Sequence, residues 1–295
     1  MSNWLKLRNK TAIITGAGSG IGRAIAKALH SQKCNLFLAD ANEKSLEDLL
    51  STFKEESPTS TSMHTISCVD VTSKEQVHDL IQYVDSVTNE QHFNNASILI
   101  NAAGITRDSL IHDVCEESYD QVLDTNLKGT FLTCQAFCAP DRVERLCKSG
   151  HGGSIVNIGS VISERGNIGQ TNYAASKGGV VGLTRALAKE MAYLSNKFKD
   201  EHGIGAGAGA GAGSTEEGTY RYGDIRVNAI LPGFIQTPMT AALPEHNRKR
   251  IVSQIPLNRF GKPEDVANMA LFLSSQERSG YVTGECWECS GAIAI

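Results

Sequence analysis

Three side chains at fixed offsets carry the chemistry of this sequence: Ser160, Tyr173 and Lys177, within the stretch SVISERGNIGQTNYAASK. Tyr173 and Lys177 are four residues apart, so on a helix they share one face. Ser160 follows the apolar run Ile155-Val156-Asn157-Ile158, which reads as a buried strand. Its hydroxyl is therefore offered at a strand's C-terminal end, where a parallel α/β sheet binds its ligands. A phenol with a pKa of ~10 is a poor acid or base at neutral pH. A nearby ammonium favours the phenolate and lowers that pKa. A phenol so tuned passes a proton to or from an alcohol or ketone, and a serine hydroxyl can hydrogen-bond the same oxygen. YxxxK also arises by chance, so the spacing takes its meaning from the elements around it.

The first of those elements is TAIITGAGSGIG at 11–22: an apolar strand from Thr11 to Thr15, a glycine-rich turn, then an amphipathic helix from Arg23 to Leu29. Gly16, Gly20 and Gly22 allow a tight turn and a close approach to a pyrophosphate, which a helix N-terminus attracts. The spacing is TGxxxGxG rather than GxGxxG, and the strand before it and the helix after it are what give it weight. A second strand, Asn35 to Ala39, ends at Asp40, eighteen residues after Gly22. An acid at about that distance binds the hydroxyls of an adenosine ribose; its alternative role is to cap the helix starting near Glu43. Neither Ser19 nor Ala41 is basic, as a site for a 2′-phosphate would favour, so the expected cofactor is NAD rather than NADP.

Further along, helix 43–54 and a polar loop at 55–62 precede a strand from His64 to Val69 that ends in Asp70-Val71. Asp70 is placed to meet an adenine or to cap helix 73–86. A strand from Ile98 to Ile100 runs into Asn101-Ala102-Ala103-Gly104, small residues that let the backbone pass close to a nicotinamide ribose. A helix spanning Tyr119 to Phe137 carries Asn126 among apolar neighbours, either as a satisfied core amide or as the holder of a relay water. The helix containing Tyr173 continues to about Asn196, with a small-sided first half suited to close helix packing. The glycine-rich tract His202 to Asp224 reads as a flexible surface insertion, because it has too little to bury. After a strand from Ile225 to Ile230 come Pro232-Gly233 and a short-helical segment, 234–260, that reads as a substrate lid. Its Arg248-Lys249-Arg250 is a solvated face or a landing patch for an anionic carrier. Helix 263–274 and a strand from Tyr281 to Glu288 close the chain. Strands alternating with helices at this pitch mean βαβ units. The expected fold is α/β: one doubly wound Rossmann domain over 1–295, with about seven mainly parallel strands and helices on both faces.

Composition narrows the function classes. The chain has 295 residues, 41% of them hydrophobic, and 28 basic against 32 acidic side chains, a formal charge of −4. Mild acidity and the lack of a basic stripe argue against a nucleic-acid surface, and no apolar run approaches the ~20 residues of a membrane span. The opening MSNWLKLRNK lacks the apolar core of a signal peptide. With three basic residues and no acid it bears a faint likeness to an organellar targeting segment. The eight cysteines show no disulfide framework and read as free thiols. Cys286 and Cys289 fall on a strand, where residues three apart face opposite sides, so no metal is expected. Cys134 and Cys138 read as packing residues.

With TGAGSGIG, Asp40, NAAG, Asn126, Ser160, NYAASK and PGFIQTPM in order, the chain resembles the short-chain dehydrogenase/reductase family over nearly its whole length except about 200–223. GITRDSLI, TNLKGTFL and GNIGQTNYAASK are similar to the family's 3-oxoacyl-[acyl-carrier-protein] reductases. Asp40, the long loop at 55–63 and ILPGFIQTPMT are similar to its 17β-hydroxysteroid dehydrogenases. The resemblance implies that Tyr173 is the general acid/base and that Lys177 lowers its pKa and binds the nicotinamide ribose. Ser160 would orient the substrate oxygen, Asn126 hold a relay water and Thr237 contact the carboxamide. Cofactor contacts are implied also at Ser19, Ile21, Val71, Pro232, Gly233 and Ile235. It further implies NAD as cofactor, a 17β-hydroxysteroid or a 3-hydroxyacyl thioester as substrate, and a homotetramer, or a heterotetramer with a second reductase subunit. A partner subunit with little turnover of its own is the alternative function; the mitochondrial matrix is the implied compartment and the cytoplasm its alternative. Two departures stand out: the family's NNAG is NAAG here, and the ending ECSGAIAI differs from the usual DGG type.

Overall fold

The computed structural model describes residues 4–59, 61–90, 95–150, 152–201, 223–241 and 243–293. The glycine-rich tract read as an insertion lies outside the described residues across 202–222. The elements in chain order are β1 (Thr11–Thr15), α1 (Gly20–Ser31), β2 (Asn35–Asp40), α2 (Glu43–Glu56), β3 (His64–Cys68), α3 (Lys74–Glu90) and β4 (Ala96–Asn101). Next come α4 (Glu116–Leu123), a π-helical turn (Asp124–Lys128), α5 (Gly129–Phe137), α6 (Pro140–Lys148), β5 (Gly153–Ile158), α7 (Ile162–Arg165) and α8 (Thr171–Glu201). The chain closes with β6 (Ile225–Pro232), α9 (Pro238–Ala241), α10 (Glu245–Ser253), α11 (Pro263–Ser274), α12 (Gln276–Ser279) and β7 (Cys286–Cys289).

The seven strands form one parallel sheet in the order β3-β2-β1-β4-β5-β6-β7. A fully parallel sheet is covered on both faces, which is why β1, β4, β5 and β6 are buried at every position. The two-residue alternation of a strand sorts the core. Ala12 and Ile14 of β1 pack with α1, α2 and α11, whereas Ile13 packs with α3, α5, α6 and α8. The strand order reverses between β1 and β4, and it is there that an open α/β sheet leaves a crevice at its carboxyl edge. A third apolar cluster lies over that edge and joins Val161, Ile162, Ile251, Ile255, Phe260 and Ile293, with Tyr173 against it.

The fold matches the expected class, and several boundaries differ. The catalytic-stretch helix runs past Asn196 to Glu201. The last strand is only four residues long, because the chain at Tyr281 to Glu285 runs as turn and loop, with Tyr281 fully exposed, before β7 pairs with β6. The helix expected from Tyr119 to Phe137 starts at Glu116 and is interrupted by the π turn. That turn follows no Gly or Pro signal; it centres on the buried Asn126.

Candidate active site

Ser160 stands two residues beyond β5, held by a web of backbone bonds. Val161 N–H donates to the Pro232 carbonyl at 3.1 Å, and Ser160 Oγ accepts from Ile162 N–H at 3.2 Å. The hydroxyl acts on the phenol of Tyr173, in the first turn of α8, pulling its pKa down. Lys177, one turn on, is buried and donates from Nζ to the Ile158 carbonyl at 2.8 Å; its Nζ lies 5.8 Å from the centre of the Tyr173 ring.

The electrostatics differ from the sequence expectation. Burial pushes the Tyr173 phenol up to about 12, with the Ser160 hydroxyl pulling it back. Burial also pushes the Lys177 ammonium down to about 8. Desolvation therefore outweighs the lysine's pull on the phenol, since the ammonium is bonded to a backbone carbonyl instead of the phenol oxygen. The neutral phenol is suited to giving a proton to an oxygen bound beside Ser160.

Asn126 is fully buried, and its side-chain amide is satisfied within the protein. Oδ1 accepts from Ile105 N–H at 2.8 Å, while Nδ2 donates to the Ile105 carbonyl and to Ser176 Oγ, each at 3.0 Å. These are the bonds of a satisfied buried amide. It staples the loop after β4 to α8, with Ser176 as the intermediary that sequence reasoning passed over. The turn between them is close: a Cβ on Gly104 would sit 3.2 Å from Asn126 Oδ1 and 3.4 Å from Lys177 Nζ. Gly104, Asn126 and Lys177 thus meet at one point.

On the other side of the crevice lies the glycine turn. Gly16 has φ +66°, and a Cβ there would lie 2.6 Å from Ala103 N. A Cβ on Gly22 would lie 2.1 Å from the Gly16 carbonyl oxygen, so any side chain would force α1 off the turn. Ser19 opens α1 without a side-chain cap, and no acid occupies the first turn, which leaves that end suited to an anion. Asp40, at the end of β2, accepts from Gly18 N–H and Asn42 N–H, both at 2.9 Å. It does not cap α2; Asn42 does, accepting from Ser45 N–H at 3.1 Å. Arg23 bridges the same corner by donating to the carbonyls of Gly18 and Ser45. Cradle, helix end and carboxylate fit a dinucleotide.

The remaining expected cofactor positions divide. Asp70 is exposed and accepts from Thr72 N–H at 2.9 Å, a turn that precedes α3, while Ser73 Oγ accepts from Gln76 N–H at 3.3 Å. Val71 is buried against Gly129. Ala102 and Ala103 line the crevice floor, but the Asn101 side chain turns into the core. It donates to Asn157 Oδ1 at 2.9 Å and accepts from Thr133 Oγ1 at 2.7 Å, so only its backbone faces the crevice edge. Pro232 and Gly233 brace the Ser160 loop and the tail. Ile21 packs against the core beneath the turn, and Ile235 is buried. Thr237 reaches back across the crevice: a Cβ on Gly20 would lie 3.4 Å from its methyl carbon.

A doubly wound sheet with a glycine cradle at its switch point, and a buried phenol beside a hydroxyl and an ammonium, is the layout of a nucleotide-dependent oxidoreductase. The family model described as short chain dehydrogenase matches residues 10–195, and the one described as Enoyl-(Acyl carrier protein) reductase matches 212–291. The (3R)-3-hydroxyacyl-CoA dehydrogenase of Rattus norvegicus is 38% identical over 296 residues, covering 99% of each chain. The 3-oxoacyl-[acyl-carrier-protein] reductase FabG of Thermotoga maritima is 37% identical over 291 residues, covering 99% of this chain and 100% of its own. The (3R)-3-hydroxyacyl-CoA dehydrogenase of Homo sapiens is 34% identical over 293 residues, covering 98% and 97%. The chain belongs to the short-chain dehydrogenase family: it is an oxidoreductase acting on CH–OH groups, of a class that uses a nicotinamide cofactor.

Proposed function

We propose that this enzyme interconverts a 3-hydroxyacyl thioester and its 3-oxoacyl counterpart with NAD, Tyr173 moving the proton. The observation that carries the reading is the buried Lys177, its Nζ 5.8 Å from the centre of the Tyr173 ring and bonded to the end of the strand that presents Ser160, whose hydroxyl acts on the phenol. The printed names of relatives along the whole chain support the thioester class. Neither a steroid substrate nor a partner subunit with little turnover takes support from them.

A bound nicotinamide would supply or accept the hydride. Gly16, Ser19, Gly20 and Gly22 would hold the pyrophosphate, and Asp40 the adenosine ribose. Lys177 and the backbone at 102–104 would hold the nicotinamide ribose, and Thr237 the carboxamide. For reduction, Ser160 orients the ketone oxygen and Tyr173 donates its phenolic proton to it. For oxidation, the phenolate of Tyr173 takes the hydroxyl proton. Lys177 keeps a positive charge beneath the phenol at neutral pH, which stabilises that phenolate as it forms. The lid would come from α9 and α10, with Leu243, Ile251 and Val252 at the apolar cluster against which Tyr173 packs. Turnover of acetoacetyl-CoA with NADH, set against estradiol with NAD, tests the substrate class. Steroid oxidation without thioester reduction overturns it.

A further inference from the structure

We propose that Arg165 and Glu288 form a latch that seats the C-terminal tail on the one-turn helix after Ser160 and so sets the separation between Ser160 and Tyr173. Both are positioning residues, and the inference rests on the reading of Ser160 and Tyr173 as the reacting pair.

Between Ser160 and the start of α8 the only regular structure is α7, which ends at Arg165; Gly166, at φ +72°, then turns the chain away. The hydroxyl has no rigid helix of its own. Its loop is held from one side by β6, through the Val161 N–H bond to Pro232. Arg165 holds it from the other. Its guanidinium donates to both carboxylate oxygens of Glu288, at 2.6 and 2.8 Å, and to the carbonyl of Ile293. Both carboxylate bonds come from Nη2 and the Ile293 bond from Nη1, so one planar guanidinium holds its two partners at a fixed angle. Glu288 is anchored in turn: it lies on β7 opposite Leu231, and it accepts from Ser290 Oγ at 3.0 Å. Ile293, 1% exposed, fills the same apolar cluster as Val161, Ile162 and Phe260, against which Tyr173 packs. One guanidinium thus ties the Ser160 loop, the edge strand and the tail into one wall of the crevice. The unusual ending of the chain is the part that makes this possible.

The test uses the full-length enzyme reducing acetoacetyl-CoA with NADH at a temperature well below melting. Arg165→Gln and Glu288→Gln should each lower kcat about tenfold and leave the KM for NADH within about twofold, a loss confined to the reacting geometry. The double variant should be no worse than either single one, because the pair acts as a unit. Arg165→Lys, which keeps the charge but not the planar group that reaches both Glu288 and Ile293, should recover part of the loss. The alkaline limb of the kcat profile should move up in both Gln variants, since the Ser160 hydroxyl holds the phenol's pKa down. Lower melting with unchanged kcat and profile would make the latch merely structural and overturn the proposal, as would losses that multiply. If Arg165→Gln fails to fold, Glu288→Gln, which keeps the shape and an acceptor, carries the test. If the wild type does not turn over the thioester, the site reading fails instead. Amide exchange across 160–166 then decides the latch: it must rise in Glu288→Gln, and an unchanged rate overturns it.

Discussion

Lys177 Nζ donates to the carbonyl oxygen of Ile158 at 2.8 Å, which ties α8 to the strand end that presents Ser160. One ammonium is thereby both a brace between two elements and a charge beside the phenol. It is kept at a cost, because burial is the sole cause that pushes its pKa down, from 10.5 to about 8.

Lys177→Met should therefore stabilise the protein at pH 7 while abolishing activity. The drop from 10.5 to about 8 corresponds to about 3 kcal/mol. Loss of the Ile158 bond returns about 1 kcal/mol of that. Below pH 8 both states hold the proton and the burial cost is complete. From pH 8 towards 10.5 the unfolded chain binds more protons than the folded one, so wild-type stability rises. Urea unfolding should show the variant ahead by about 2 kcal/mol at pH 7, with the gap narrowing by pH 9.5.

A second titrating pair sits far from the site. His30 Nδ1 and His64 Nε2 are 2.9 Å apart, with His30 stacked on Phe53. Burial pushes His64 down to about 4 and also lowers His30, against which Glu56 pulls up. With an unfolded pKa near 6.5, this contribution is whole above that value and is lost as pH falls towards 4. His64→Gln keeps a hydrogen-bonding side chain without the charge and should resist acid better, by about 1–2 kcal/mol at pH 5. Equal acid melting of the two proteins would contradict this.

Asp40 should set cofactor choice. A 2′-phosphate would bring negative charge against its carboxylate and remove a hydroxyl donor. We expect NAD to be preferred over NADP by at least about a hundredfold in kcat/KM, on the order of 2.7 kcal/mol. Asp40→Ala should erode that ratio and also cost about 1–2 kcal/mol of stability, because Gly18 and Asn42 N–H lose their acceptor. A stability loss with the ratio unchanged would leave Asp40 as a turn residue only.

Leu123, Leu127, Phe131 and Leu183 line an apolar groove between the helix of Asn126 and α8, and Phe131 is 45% exposed. A second copy of the chain is the expected occupant. Phe131→Asp should shift the sedimenting species to a smaller assembly at micromolar concentration. A wild type that already sediments as a monomer would refute the interface.

Much of this was legible in the sequence because it is local. The glycine turn, the four-residue offset of Tyr173 and Lys177, and the buried strand before Ser160 are each set by spacing, and spacing determines which face a side chain shares. What the sequence concealed depends on contacts between distant segments. Asn126 lies fifty residues from Ser176, and Arg165 lies 123 from Glu288. The Asn101 side chain turns inward because Asn157 and Thr133 wait for it on other elements. The sign of the Tyr173 shift was missed for the same reason: burial is a property of the packed state and outweighed a charge that was visible from spacing alone.

The central claim is that the Tyr173 oxygen carries the proton. Tyr173→Phe removes that atom and leaves the ring in its apolar cluster. NADH affinity by fluorescence titration should stay within about twofold, while acetoacetyl-CoA reduction should fall by about 10²–10⁴-fold, the usual share of general acid–base catalysis. Turnover within threefold of wild type, with the cofactor still bound, would contradict the account.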